Sequence, residues 1–213
     1  MFNGDYNGNI PPNYNNYING SPSKISNKND VPVIEDLLEL NEQFSNIMNK
    51  RIKGLKLISL PYQNGEFEKC FSEVSLCKDM GVINDFLRYN IIKKDMDKVI
   101  IKSDMVIQIF PTIMNLVNCK YDAYFKTGIS SAWTIMNIMS DPIIDVFNKP
   151  SLNCIDINRE DKITKYKVII DYYNKLYNNQ RLRDNLKYKQ MKGLNLKQFV
   201  NELKFFLSQC NYK

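Results

Sequence analysis

Histidine is absent from the 213-residue chain. Without an imidazole there is no Ser-His-Asp or Cys-His catalysis, no histidine general base and no His-ligated metal site. The usual phosphate cradles are missing too. Neither G-x-x-x-x-G-K-[ST] nor G-x-G-x-x-G occurs, and the chain holds only eight glycines. Cysteine is sparse and odd in number, at positions 70, 77, 119, 154 and 210, with no C-x-x-C pair. Such thiols read as reduced and buried, and no histidine stands ready to activate one. No apolar run approaches the ~18 residues that a membrane-spanning helix needs. Residues 1–10 lack the basic flank and apolar core of a secretory signal. These absences predict a protein that is not an enzyme, binds no cofactor or metal, takes no small-molecule substrate and crosses no membrane.

What is present divides in two. Residues 1–30 carry nine Asn among Gly, Pro, Ser and Tyr, with almost no aliphatic side chains. Such a segment cannot bury enough surface to offset its ordering entropy, so residues 1–32 are predicted to be a disordered tail. From Val33 the composition becomes that of a globular domain. About 180 residues bury roughly 70% of their unfolded surface, so residues 33–213 can form a core without disulfide or metal staples. The net charge of +6, from 29 basic and 23 acidic side chains, modestly favours acidic partners.

The globular part reads as helix after helix. Leu37, Leu40, Phe44, Ile47, Met48, Ile52, Leu55 and Ile58 step by threes and fours, predicting one long amphipathic helix from about Val33 to Leu60-Pro61. Its charges are segregated. Glu35, Asp36, Glu39 and Glu42 come first; Lys50, Arg51, Lys53 and Lys56 follow, an order that suits the helix dipole. After a turn at Gln63-Asn64-Gly65, Phe67, Cys70, Phe71, Val74 and Cys77 give a short helix, which Met80-Gly81 is expected to break. Val82, Ile83, Phe86, Leu87 and Ile91 give another, ending near Lys93. Ser103-Asp104 reads as the cap of the next helix, with Pro111 bending it.

The longest apolar pattern covers residues 120–147. Phe125, Ile129, Ala132, Met136 and Met139 form one row; Tyr124, Gly128, Ile135, Ile138 and the only Trp, Trp133, widen it. A helix apolar on most sides belongs inside a protein, so this is predicted to be the central helix. Asp141-Pro142 is expected to interrupt its pattern, with Ile143 to Phe147 as a bent continuation. Beyond it, Leu152, Cys154, Ile155 and Ile157 read as an extended segment, and Asn158 with Asp161 as a weak capping pair. Ile163, Tyr166, Ile169, Ile170, Tyr173, Leu176 and Tyr177 describe a helix to about Asn179. Residues 180–196, with Arg181, Arg183, Lys187, Lys189 and Lys192, are predicted to be a mobile basic linker. Leu196, Phe199, Val200, Leu203, Phe206 and Leu207 give a final helix. The predicted fold is all-α: an irregular bundle, or helical-repeat-like array, of six to seven antiparallel helices.

Several segments together resemble one family. Phe44-Ser45-Asn46-Ile47-Met48-Asn49-Lys50-Arg51-Ile52-Lys53-Gly54-Leu55 is similar to the first helix of the C-terminal domain of the katanin regulatory, non-catalytic subunit. Asn64-Gly65-Glu66-Phe67 looks like its first turn. Phe110-Pro111, then Lys120-Tyr121-Asp122-Ala123-Tyr124-Phe125-Lys126-Thr127-Gly128, resemble its central signature. Asp156-Ile157-Asn158-Arg159-Glu160-Asp161-Lys162-Ile163 resembles the opening of its penultimate helix. The resemblance runs from Phe44 to Asn179 and weakly again at Phe199 to Leu207.

The resemblance implies a non-enzymatic helical module that pairs with the N-terminal domain of katanin's AAA ATPase subunit. Together the two would bind microtubules through tubulin's acidic tails, tune severing, and recruit spindle-pole and minus-end proteins. The implied location is the cytoplasm and its cytoskeleton, at microtubules and a spindle pole or centrosome-like organising centre. Larger family members carry an N-terminal β-propeller; the layout here is closer to propeller-lacking relatives, or equally that of a fragment of a longer product. Phe44, Ile47, Met48, Leu55 and Ile58 are the candidate contacts with the ATPase subunit. Lys50, Arg51, Lys53 and Lys56 are the candidates for tubulin's tails. The alternative for a basic helical protein is a nucleic-acid-binding or other protein-interaction module. Its basic residues, however, are mixed with acidic ones, and no helix-turn-helix or aromatic-basic RNA motif occurs.

Overall fold

The structure, a computed structural model, describes residues 30–92, 101–148, 156–188 and 193–210. Among these residues there are eight α-helices and one π-helical turn, and no strand. The all-α prediction holds; the eighth helix comes from the stretch read as a linker. The chain divides into two compact units, Met1–Ser45 and Asn46–Lys213. Of the first, the described part is Asp30–Ser45, the opening of helix α1 (Asp30–Gln63). The second holds the end of α1, α2 (Phe67–Leu76), α3 (Met80–Phe86), the π-turn (Leu87–Ile92), α4 (Ser103–Asn118), α5 (Asp122–Asn148), α6 (Ile157–Tyr177), α7 (Gln180–Tyr188) and α8 (Leu196–Gln209).

The core of the second unit forms around α4 and α5. α4 packs on α2, α5 and α6, and α5 on the π-turn, α6 and α8. Gly128 lets α4 and α5 approach closely: a Cβ there would stand 2.8 Å from Val117 Cγ2 and 3.2 Å from the Ile113 carbonyl. The predicted row Phe125, Ile129, Ala132, Met136 and Met139 is buried throughout. Tyr173 of α6 ties four helices together. Its ring lies edge-on to Phe110 of α4 at 4.8 Å and to Phe206 of α8 at 5.5 Å, and its hydroxyl donates to the Ala132 carbonyl of α5 at 2.9 Å. Burial raises that hydroxyl's pKa well above 10.

The ends of the helices have local causes. α1 stops at a Gly cap: Gly65 takes φ 77°, its N–H reaches the Tyr62 carbonyl at 3.2 Å, and Glu66 N–H reaches the Pro61 carbonyl at 2.9 Å. That is the double bond of a Schellman motif, with glycine where left-handed backbone is required. In the π-turn, the Asn90 side-chain amide donates to the Phe86 carbonyl at 3.2 Å, and Tyr62 Oη donates to the Asn90 carbonyl at 3.3 Å.

Several expectations are corrected. α1 begins at Asp30 rather than Val33. Met80-Gly81 does not end a helix but opens α3, because Asp79 caps it, accepting from Gly81 N at 2.8 Å and Val82 N at 3.2 Å. Ser103-Asp104 does not cap α4; Lys102 is its N-cap, with no side-chain bond. Asp156, not the Asn158 and Asp161 pair, caps α6, accepting from Arg159 N at 3.1 Å. Past Pro142 the helix does continue, as expected for Ile143 to Phe147: α5 runs on to Asn148.

The predicted linker over residues 180–196 is corrected for residues 180–188, which form α7. Asn179 Oδ1 accepts from Leu182 N at 3.2 Å, and Leu182 is 1% exposed. Two apolar side chains at i and i+4, Leu182 and Leu186, anchor an otherwise polar helix to the core. Residues 1–29 of the predicted tail, Lys93, residues 189–192 and the extended segment at 149–155 lie outside the described residues.

Candidate partner-binding surface

The apolar stripe of α1 has two fates along its length. Beyond residue 51 part of it, Leu55 and Ile58, meets the chain's own core, while Ile52 stays 45% exposed. Gly54 lies against Val82, whose Cγ2 would be 3.2 Å from an added Cβ. Leu55 is half-buried against the core, and Ile58 is 3% exposed, its carbonyl accepting from Cys70 Sγ at 3.3 Å. Burial, with Glu73 nearby, pushes the Cys70 thiol up to about 12. Between residues 34 and 50 every side chain is exposed. Six of them, Ile34, Leu37, Leu38, Leu40, Phe44 and Ile47, are large, apolar and each more than half exposed. Their spacing along one helix sets this exposure apart from single scattered apolar side chains.

The candidate contacts therefore separate. Phe44 and Ile47 are 62% and 61% exposed, and Met48 lies at the edge of the same stripe. Leu55 is only partly reachable, and Ile58 belongs to the internal core. Leu37 and Leu40 had not been singled out as contacts, yet they continue the open stripe at the same three- and four-residue spacing.

The basic candidates separate as well. Lys50, Lys53 and Lys56 are exposed. Arg51 is half-buried: its Nη2 donates to Asp85 Oδ2 at 2.5 Å and to the Gly81 carbonyl at 3.2 Å. A Cβ on Gly81 would come within 2.9 Å of the Arg51 guanidinium carbon, so glycine there makes room for the arginine. Farther along the chain, Arg181 lies over the Phe125 ring at 5.0 Å and 3.8 Å from Asp122, so it serves the packing of α7 on α5.

A groove of about 540 Å³ is lined by Leu55, Asp85, Phe86, Arg88, Tyr89 and Asn90. Among the described residues no cluster of Cys, Asp and Glu could hold a metal ion, and no helix is long and apolar enough to cross a membrane.

The con80 domain of katanin matches residues 39–204, more than half of the chain. The chain belongs to the katanin con80 family. The match begins within the open stripe of α1 and ends in α8, so it takes in the Gly65 turn, the start of α5 and the Asp156 cap of α6. Among the relatives of this con80 chain is the katanin p80 WD40 repeat-containing subunit B1 of Xenopus tropicalis, 22% identical over 148 residues. These are 70% of this chain and 22% of that protein. The subunit of the same name from Danio rerio is 24% identical over 156 residues, 73% of this chain and 22% of its own length. That from Gallus gallus is 22% identical over 136 residues, 64% and 20%. The con80 chain thus spans about a fifth of the length of these curated relatives.

Proposed function

We propose that this con80 domain is a non-enzymatic regulatory scaffold of a katanin complex. In this reading it binds the N-terminal domain of the katanin AAA ATPase subunit and, with it, microtubules. The observation that carries the proposal is the open stripe on α1, within a chain of this family: Phe44, Ile47 and Met48 are apolar and exposed. A partner helix laid on that stripe would remove from water the surface the chain leaves uncovered. Leu55 borders the contact, and Ile58 supports it from within the core.

For tubulin's acidic tails we propose Lys50, Lys53 and Lys56, with Arg51 holding α1 to α3 instead. Exposed cations of this kind act through long-range attraction, which salt screens over a Debye length of about 8 Å at physiological ionic strength. The proposed location follows from these partners: microtubules and their organising centres.

The test is co-expression with the ATPase subunit's N-terminal domain. The two should elute as one complex, and Phe44→Asp with Ile47→Asp should separate them while the variant keeps its helical circular dichroism. Separate elution of the wild-type pair at micromolar concentration would sink the proposal.

A further inference from the structure

We propose that α1 also pairs antiparallel with α1 of a second copy of this chain, through residues 34–50. The register is written along the helix. Leu37, Leu40, Phe44 and Ile47 are spaced 3, 4, 3, which makes them alternate a and d positions of a heptad. All four are at least 60% exposed. The flanking g positions are then Asp36, Gln43 and Lys50: one acidic, one neutral, one basic.

Two antiparallel copies share a two-fold axis, so each contact occurs twice. The layers become Leu37 on Ile47 and Leu40 on Phe44. In that same register, g positions face g positions. Asp36 meets Lys50 of the second copy, Lys50 meets its Asp36, and Gln43 meets Gln43. On the other side Ile34 meets Met48 and Asn41 meets Asn41. No like charges face each other at these flanks. A parallel pair would instead set Asp36 against Asn41 and leave both charges unmatched. The pairing also has a natural limit. The next a and d positions are Arg51 and Gly54, which the chain's own α3 already occupies. Lys53 and Lys56 fall at c and f positions, away from the seam. The pairing stands independently of the ATPase reading, but Phe44 and Ile47 would serve both partners, so the two occupants exclude each other.

The experiment is sedimentation equilibrium of the full chain from about 1 to 100 µM at low salt. A monomer-dimer equilibrium is expected. Asp36→Lys alone and Lys50→Glu alone should each raise the dimer Kd about fivefold to tenfold, since two symmetry-related pairs become repulsive. The double variant D36K/K50E should restore wild-type association. These side chains are exposed, and circular dichroism will confirm that each variant folds. A chain that stays monomeric throughout overturns the proposal. So does a dimer whose Kd is unmoved by either single reversal, or one that the double variant fails to restore.

Discussion

Arg51 of α1 and Asp85 of α3 form the ion pair that fixes the end of α1 to the bundle, with the Gly81 carbonyl as a second acceptor. Their side chains are 29% and 39% exposed, so solvent screens the pair in part. Arg51→Ala should cost about 1 kcal/mol, toward the upper end for a surface pair. Arg51→Lys should recover part of the loss, because both bonds leave the single nitrogen Nη2 and an ammonium also carries several donors on one nitrogen. Thermal unfolding measures the loss. In microtubule co-sedimentation R51A should pellet as the wild type does, whereas Lys53→Glu with Lys56→Glu should pellet less without lowering Tm.

Gly128 and Gly54 make a contrasting pair. At Gly128 an added methyl meets Val117 Cγ2 at 2.8 Å and backbone atoms of α4, which cannot yield. Gly128→Ala should destabilise by about 1–3 kcal/mol despite the better helix propensity of alanine. At Gly54 the nearest atom is a side-chain methyl of Val82 at 3.2 Å. Gly54→Ala should be close to neutral, since the propensity gain of about 1 kcal/mol offsets a small displacement. Urea unfolding of both variants gives the comparison.

Tyr173 and Cys70 are two of the buried acids that make stability fall at alkaline pH. Both are buried acids whose pKa values are raised on folding, Cys70 to about 12. In the unfolded chain the thiol ionises near 8.5 and the phenol near 10, roughly their unperturbed values. Above those values the unfolded state holds fewer protons than the folded one, so stability falls as pH rises. The urea midpoint should decline steadily from about pH 9 to 11. Tyr173→Phe should cost about 1 kcal/mol at pH 8 through the lost bond to the Ala132 carbonyl, and should flatten the alkaline decline.

The thiols should differ in reactivity for the same reason. Burial holds Cys70 up to about 12 and Cys210 up to about 11, while Cys77 and Cys119 are half-buried. Because the thiolate is the nucleophile, among the four cysteines of the described residues iodoacetamide at pH 8 should label Cys77 and Cys119 first. Peptide mapping should show Cys70 and Cys210 modified only under denaturing conditions.

The helices were legible wherever an apolar face was broad. The row through Phe125, Ile129, Ala132 and Met136 is buried as its spacing required. α7 was not legible as a helix because Leu182 and Leu186 are its only large aliphatic side chains among six basic or polar neighbours; Asn179 followed by Leu182 and Leu186 was the available signal. The start of α6 was misplaced because Asn158 was read as the cap and Asp156, two residues earlier, is the one that accepts the free N–H; which of them does so depends on backbone angles that spacing does not encode. For the candidate site, periodicity identified the α1 stripe but not which part of it is covered. Phe44 and Ile58 occupy equivalent positions in the pattern. One is open and the other buried in a core to which Cys70, from α2, also belongs. That difference lies in tertiary contacts.

The most direct test of the account is calorimetric titration of the katanin ATPase subunit's N-terminal domain into this chain, wild type against Ile47→Asp. The account predicts saturable 1:1 binding of the wild type, and at least a hundredfold loss for I47D, because a charge placed in a desolvated apolar contact costs about 3 kcal/mol or more. Absence of binding by the folded wild type, or an unchanged affinity for folded I47D, would contradict it.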